Sequence, residues 1–253
     1  MRHAIIGLSL SALSLSALCM PAQAADPDRP SFAITGYIWA TAIDGKAATL
    51  PPLPAVDVNM SIRDVLKDLN GALMLAGEMR LGRWGFLLDG QYSQVTAKAN
   101  SPSPLFSSAE LRARSTIVQG SALYRVHEDA ATRLDVSAGV RFWNLNNRLQ
   151  ILPGAANLRI DHTQNESWAD PTVGVRLGVE LGGPWSLSAA GDIGGFGVGS
   201  RFSWQALGAI NYAVNDSWML KAGYRALYVD YRRGSYEYDA TQHGPAVAVT
   251  YRF

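Results

Sequence analysis

The last nine residues, 245–253, read PAVAVTYRF. Pro245, Val247, Val249, Tyr251 and Phe253 take every second place, with Ala246, Ala248, Thr250 and Arg252 between them. A strand sends successive side chains to opposite faces, so strict period two makes one face apolar and aromatic and the other small or polar. This ending therefore reads as a strand with two unlike faces.

The same alternation recurs upstream. SFAITGYIWATAI (31–43) opens the series. GALMLAGEMRL (71–81) turns through Gly82 and Arg83 into WGFLLDGQYSQV (84–95). LRARSTIVQGSALYRV (111–126) is joined to RLDVSAGVRFWNL (133–145) by the polar HEDAAT. SWADPTVGVRLGVEL (167–181) turns at Gly182-Gly183-Pro184 into WSLSAAGDIGG (185–195), and RFSWQALGAINYAV (201–214) turns at Asn215-Asp216-Ser217 into WMLKAGYRALYVDY (218–231). With a last strand from about Thr241, the count is about ten, and eight is the alternative. Short turns alternate with longer connections near 44–70, 96–108, 146–166, 196–200 and 232–240.

The expected fold class is all-β: a transmembrane, antiparallel, up-and-down β-barrel with short periplasmic turns and longer extracellular loops. One face carries Trp84, Phe86, Leu88 and Tyr92, and likewise Val173, Val175, Leu177 and Val179. Trp84, Trp185 and Trp218 each follow a short turn directly, as a girdle at a membrane–water boundary requires. The opposite face carries six acids and six bases: Glu78, Arg80, Asp89, Asp135, Arg141, Asp170, Arg176, Glu180, Asp192, Lys221, Arg225 and Arg252. Charges held away from water are costly unless paired, so this balance predicts a salt-bridged lumen. A soluble lipocalin-like barrel, the alternative fold, would place its apolar face inside and its charges outside.

At the other end, MRHAIIGLSLSALSLSALCMPAQA has a basic start at Arg2, an apolar run and a small-x-small ending at Ala22-Gln23-Ala24. It reads as a cleaved export signal (1–24), leaving 25–253 as one barrel domain. The alternative, a lipid anchor on Cys19, sits poorly with the bulky Leu18 before it. Cleavage removes the only cysteine, so disulfides are not expected. The whole chain has 22 Lys and Arg against 21 Asp and Glu, and loss of Arg2 makes it neutral. That balance gives no footprint for nucleic acid.

Joined to such a leader, the alternating ending with Tyr251 and Phe253 resembles the C-terminal strand of Gram-negative outer-membrane barrels. The resemblance implies recognition of those residues by the barrel-assembly machinery. The blocks ESWADPTVGVRLG (166–178), GDIGGFGVGSRFSWQA (191–206), GYRALYVDY (223–231) and the stretch 57–92 resemble a family of porin-like proteobacterial outer-membrane barrel proteins. That resemblance implies fold and an outer-membrane location, and brings no catalytic residues.

GGFGVGS (194–200) has the glycine content of a phosphate-binding loop, but an alternating aromatic segment follows it where such a loop needs a helix. A tight extracellular hairpin is the better reading. In MSIRDVLKDLN (60–70), Ile62, Val65, Leu66 and Leu69 have helical spacing, with Ser61 and Asp64 placed as a capping box. This predicts a short helix over the barrel mouth, packed there or serving as a lid.

No cofactor, metal site or catalytic group is expected. His162 beside Asp161, with Ser167 near it, is the one place where a base and a nucleophile lie close in sequence. Arg112 and Arg114 share the membrane-facing side near the outer leaflet, which makes them candidate contacts for lipopolysaccharide phosphates. The expected partners are outer-membrane lipids, lipopolysaccharide and the assembly machinery, with the protein a monomer. The leading function is a small outer-membrane barrel with a structural or narrow-pore role. The alternatives are a rim enzyme acting on lipid A, phospholipid or peptide, and an adhesion protein working through 44–70 and 146–166.

Overall fold

A computed structural model describes residues 30–49, 55–100, 106–153 and 160–253. The expected leader, 1–24, lies outside the described residues. In chain order the elements are β1 (Ser31–Trp39), β2 (Ala42–Ala48), β3 (Val56–Met60), α1 (Ile62–Asp68), β4 (Leu69–Leu81) and β5 (Trp84–Asn100). There follow β6 (Phe106–Glu128), β7 (Thr132–Pro153), β8 (Ile160–Gly182), β9 (Trp185–Gly194), β10 (Phe202–Ala213), β11 (Trp218–Arg233) and β12 (Tyr236–Arg252).

Ten of these strands close a barrel. β4 to β12 pair with their sequence neighbours, all antiparallel, and β1 joins β4 on one side to β12 on the other. Closure places Ala33 opposite Arg252 and Ile34 opposite Tyr251, and the Phe253 N–H donates to the Phe32 carbonyl at 2.9 Å. Closing the sheet leaves no unpaired edge inside a bilayer, which is the condition for strands to cross one.

The outer surface has the expected apolar band. Leu88 is 59% exposed, Val175 55% and Leu220 47%. Aromatic pairs mark the short-turn end: Trp84 with Tyr124, Trp185 with Tyr212 and Trp218 with Tyr251, at centroid distances of 5.0, 4.8 and 4.8 Å. From Trp84 to Tyr92, a tilted strand rises roughly 20 Å, close to the height of the apolar band on outer-membrane barrels.

The expected loops are only partly loops. Strand β6 has 23 residues, β7 has 22 and β8 has 23, so their pairing runs on above the band through 108–116, 144–152 and 160–167. The 44–70 connection contains a further hairpin: β2 continues the line of β1 along β12 after a break at Ala40 and Thr41, and β3 pairs with β2. The last strand likewise starts at Tyr236, inside the expected 232–240 loop. Backbone pairing there continues wherever a neighbouring strand is available, whatever the polarity of the side chains.

Helix α1 forms as the spacing predicted. The Ser61 hydroxyl accepts from the Asp64 N–H, and the Asp64 carboxylate accepts from the Ser61 N–H at 3.1 Å. Val65 is its one buried residue, and the helix packs against β2, β3 and β5.

Candidate functional site: the lumen and the outer rim

Alternation places all twelve predicted charges on the inner face, and their side chains meet in layers. Nearest the short turns, Glu78 bridges Arg80 (2.9 Å) and Arg176 (2.6 Å). Asp135 accepts from Arg80 and from Arg125, a partner that sequence reading overlooked. Glu180 pairs with Arg133 at the open end. Arg252 directs an N–H at Met219 Sδ, 3.6 Å away, and Lys221 shares this inner face.

The middle layer holds two ion pairs between strands that are not neighbours, β11 to β5 and β7 to β9. Arg225 donates to Asp89 at 3.0 Å, and Arg141 donates to Asp192 at 2.6 Å. Gln205 links them, its oxygen accepting from Arg225 at 2.6 Å and its nitrogen donating to Asp192 at 3.4 Å. Gln119 braces the second pair, accepting from Arg141 at 2.8 Å and donating to Asp192 at 3.2 Å. Tyr37 donates to Asp89 at 2.5 Å, and the Arg225 guanidinium lies over the Trp39 ring at 5.0 Å. These hydrogen bonds offset much of the desolvation cost, although Arg141 Nη1 is buried without a partner.

Above that layer aromatic and aliphatic side chains fill most of the lumen, a cluster that the reading of twelve inward charges did not include. Trp39, Ile117, Trp143, Leu145, Trp168, Leu227, Val229, Tyr231 and Tyr236 form one buried cluster. Trp143 is wholly buried, and Leu227 and Val229 are 1% exposed. Trp143, Trp168 and Tyr231 stack in sequence, with centroids 5.4 and 3.9 Å apart. A barrel this narrow is filled by side chains, and apolar ones fill it as well as charged ones. Sequence reading missed the cluster because its members are interleaved with the outward aromatics: Phe142 points out and Trp143 in.

Asp170 departs from the expected ion pairing. It is fully buried and accepts instead from Trp143 Nε1 (3.1 Å), the Ser200 N–H (2.6 Å) and the Ser200 hydroxyl (2.8 Å). Ser200 ends the glycine run, so GGFGVGS is a turn folded inward onto the lumen. Gly195 has φ +86°, and a Cβ on Gly199 would lie 2.4 Å from the Ala169 carbonyl oxygen. Those two glycines permit the docking.

The candidate group around His162 is not brought together. Asp161 and Ser167 are on the outer face, bound to Arg148 and Asn144, while His162 lies on the inner face of the same strand. A different histidine is better placed. His243, on the outer face, is held by both nitrogens, between the Tyr224 hydroxyl (2.6 Å) and the Asp44 carboxylate (2.8 Å). No sequence proximity joins these three. Among the described residues no group of three or more His, Cys or carboxylate side chains is gathered for a metal ion.

Arg112 and Arg114 are on the outer face above the apolar band, where the polar sheet begins. Arg112 donates to Glu110 at 3.2 Å and Arg114 to Gln94 at 2.9 Å. Tyr251 and Phe253 pack edge to face on the lipid side at 4.8 Å, with Phe253 70% exposed.

A closed antiparallel barrel with an outward apolar band, aromatic girdle and filled lumen defines a transmembrane barrel of the bacterial outer-membrane type. Its fold is similar to that of the outer membrane protease OmpT from Escherichia coli, with a TM-score of 0.52 and 10% identity over 90% of this chain and 97% of that one. At that identity the likeness is one of fold alone. Looser likenesses, which carry no argument, are the translocator domain of autotransporter NalP from Neisseria meningitidis (TM-score 0.44, 14% identity, 88% of each chain) and Ail of Yersinia pestis (TM-score 0.32, 10% identity, 89% of this chain and 99% of that one). No protein-family model and no curated protein matches the chain.

Proposed function

We propose that this protein, exported by a cleaved leader, is a non-conducting outer-membrane barrel with a structural role. It supports a tall extracellular sheet rather than passing solute through its lumen. The observation that carries this reading is the double seal: linked Arg–Asp pairs in the middle of the lumen and the stacked Trp143–Trp168–Tyr231 cluster above them. Solute passage would require breaking buried ion pairs and separating packed rings together. Planar-bilayer recording of the refolded barrel tests it: the expected result is no steady conductance, and reproducible open-channel steps would replace this reading with the narrow-pore one.

A second reading, a rim enzyme, has the Asp44–His243–Tyr224 chain in its favour. With Nε2–H donating to Asp44, Nδ1 is left to take the phenol proton, the order that activates a nucleophile. Mass spectrometry of lipid A and phospholipids from cells making the wild type or His243→Ala tests it. Identical spectra would dispose of the enzyme.

A further inference from the structure

The arginines foreseen at the outer leaflet have a neighbour that sequence proximity hides. β7 brings Arg148 directly opposite Arg112 in the strand register, while Arg114 lies one outward position nearer the membrane, opposite Asn146. Successive outward rungs run from Phe142–Val118 through Asn144–Thr116 to Asn146–Arg114 and Arg148–Arg112. Each rung climbs roughly 5 Å once strand tilt is allowed for, so the three guanidiniums lie about 10–15 Å above the last apolar rung. That is the level of headgroups rather than of acyl chains.

Their charge is not balanced locally. Arg148 is held by Asp161 through Nε (2.8 Å) and a terminal nitrogen (2.5 Å), with its side chain 42% exposed. Glu110 is shared between Arg112 (3.2 Å) and the exposed Lys98 (3.3 Å). Arg114 bonds to the neutral Gln94. Among the described residues, four cations thus stand over two carboxylates. Like charges directly opposite on neighbouring strands repel, and an anion between them removes that cost. The rim across the barrel is the reverse: there Arg232 is surrounded by Asp230, Glu237 and Asp239. Arg201 also shares Asp230 there, so the described acids outnumber the bases around it.

We propose that Arg112, Arg114 and Arg148 form a site for the phosphate of a membrane-anchored phosphoglycolipid of the outer leaflet, with its acyl chains along the apolar band below. Planar guanidiniums suit this chemistry, since each offers paired N–H donors to phosphate oxygens. The paired strands beneath them place the three side chains on the same outward face. The site rests on the outer-membrane setting of this rim and is indifferent to whether the lumen conducts.

The test uses the full barrel in nanodiscs, with bisphosphorylated lipid A, its dephosphorylated form and inorganic phosphate as separate probes. The wild type is expected to bind bisphosphorylated lipid A at least tenfold more tightly than the dephosphorylated form. Most of that preference should vanish in the Arg112→Ala, Arg114→Ala, Arg148→Ala variant and partly return with lysine at the three positions. Equal wild-type affinity for the two lipid forms overturns the proposal without any variant having to fold. An unchanged preference in an alanine variant that keeps the folded gel mobility overturns the residue assignment. Inorganic phosphate binding as tightly as the lipid would identify a free anion rather than a membrane glycolipid.

Discussion

Trp168 lies face to face on Tyr231, ring centroids 3.9 Å apart and planes within 8° of parallel. They belong to β8 and β11, strands separated by the β9–β10 hairpin, which stops short of both. Where that hairpin ends, the stacked rings span the gap, so the lowest part of the extracellular wall is closed by side chains instead of backbone. The Arg233 guanidinium, 3.6 Å from Glu166, ties the same two strands.

Opening this contact alone should not open the barrel, because the ion-pair layer below it still closes the lumen. Trp168→Ala with Tyr231→Ala removes two large rings from the upper seal, and channel activity in planar bilayers is expected only when Asp89→Ala and Arg225→Ala are added. The double ring variant by itself should stay silent, because Trp143 and Tyr236 also still occlude the space.

The middle layer should govern stability. Arg141→Ala leaves the Asp192 carboxylate buried without its cation, and the cost is about 3–5 kcal/mol. Urea unfolding in lipid vesicles, followed by tryptophan fluorescence, measures it. Adding Asp192→Leu to Arg141→Met should recover most of the loss, since removing both charges removes the uncompensated one.

Docking of the inward turn depends on Ser200. Ser200→Ala takes one donor from the buried Asp170, at about 1–3 kcal/mol. Gly199→Ala should do worse, because its Cβ would press on backbone that has nowhere to move. Protease cleavage within 195–201, slow in the wild type and fast in both variants, reads the release.

Helix α1 should respond to acid. Hydrogen bonds from the Ser61 side chain and N–H hold the Asp64 carboxyl below the usual carboxylate range. A carboxyl depressed in the folded state contributes stability above its unfolded pKa of about 3.9, and that contribution is lost as pH falls through the folded value. Amide exchange over 62–68, corrected for intrinsic rate, should therefore lose protection below about pH 4. Asp64→Asn should flatten that dependence.

Much of the architecture was legible because a membrane barrel writes itself in period two. The alternating stretches, the tryptophans after three of the four short turns and the Ser61–Asp64 box were readable along the chain, since each depends on neighbours two or three residues apart. The extent of the strands was less so. Polar positions such as Asn144 and Gln164 carry no alternating contrast, yet they pair because a partner strand continues beside them.

What the sequence by itself determined is which face each alternating residue takes, and hence the outward apolar band and the inward charges, while closure settled the crossings at ten rather than eight. Only the closed structure decided what the inward side chains meet. Arg141 meets Asp192 across 51 residues, Arg225 meets Asp89 across 136, and Asp44, His243 and Tyr224 join through β2, β12 and β11. Alternation assigns a side chain to the lumen or to lipid. Its partner across the barrel is set by strand order and register, which exist once the sheet has closed.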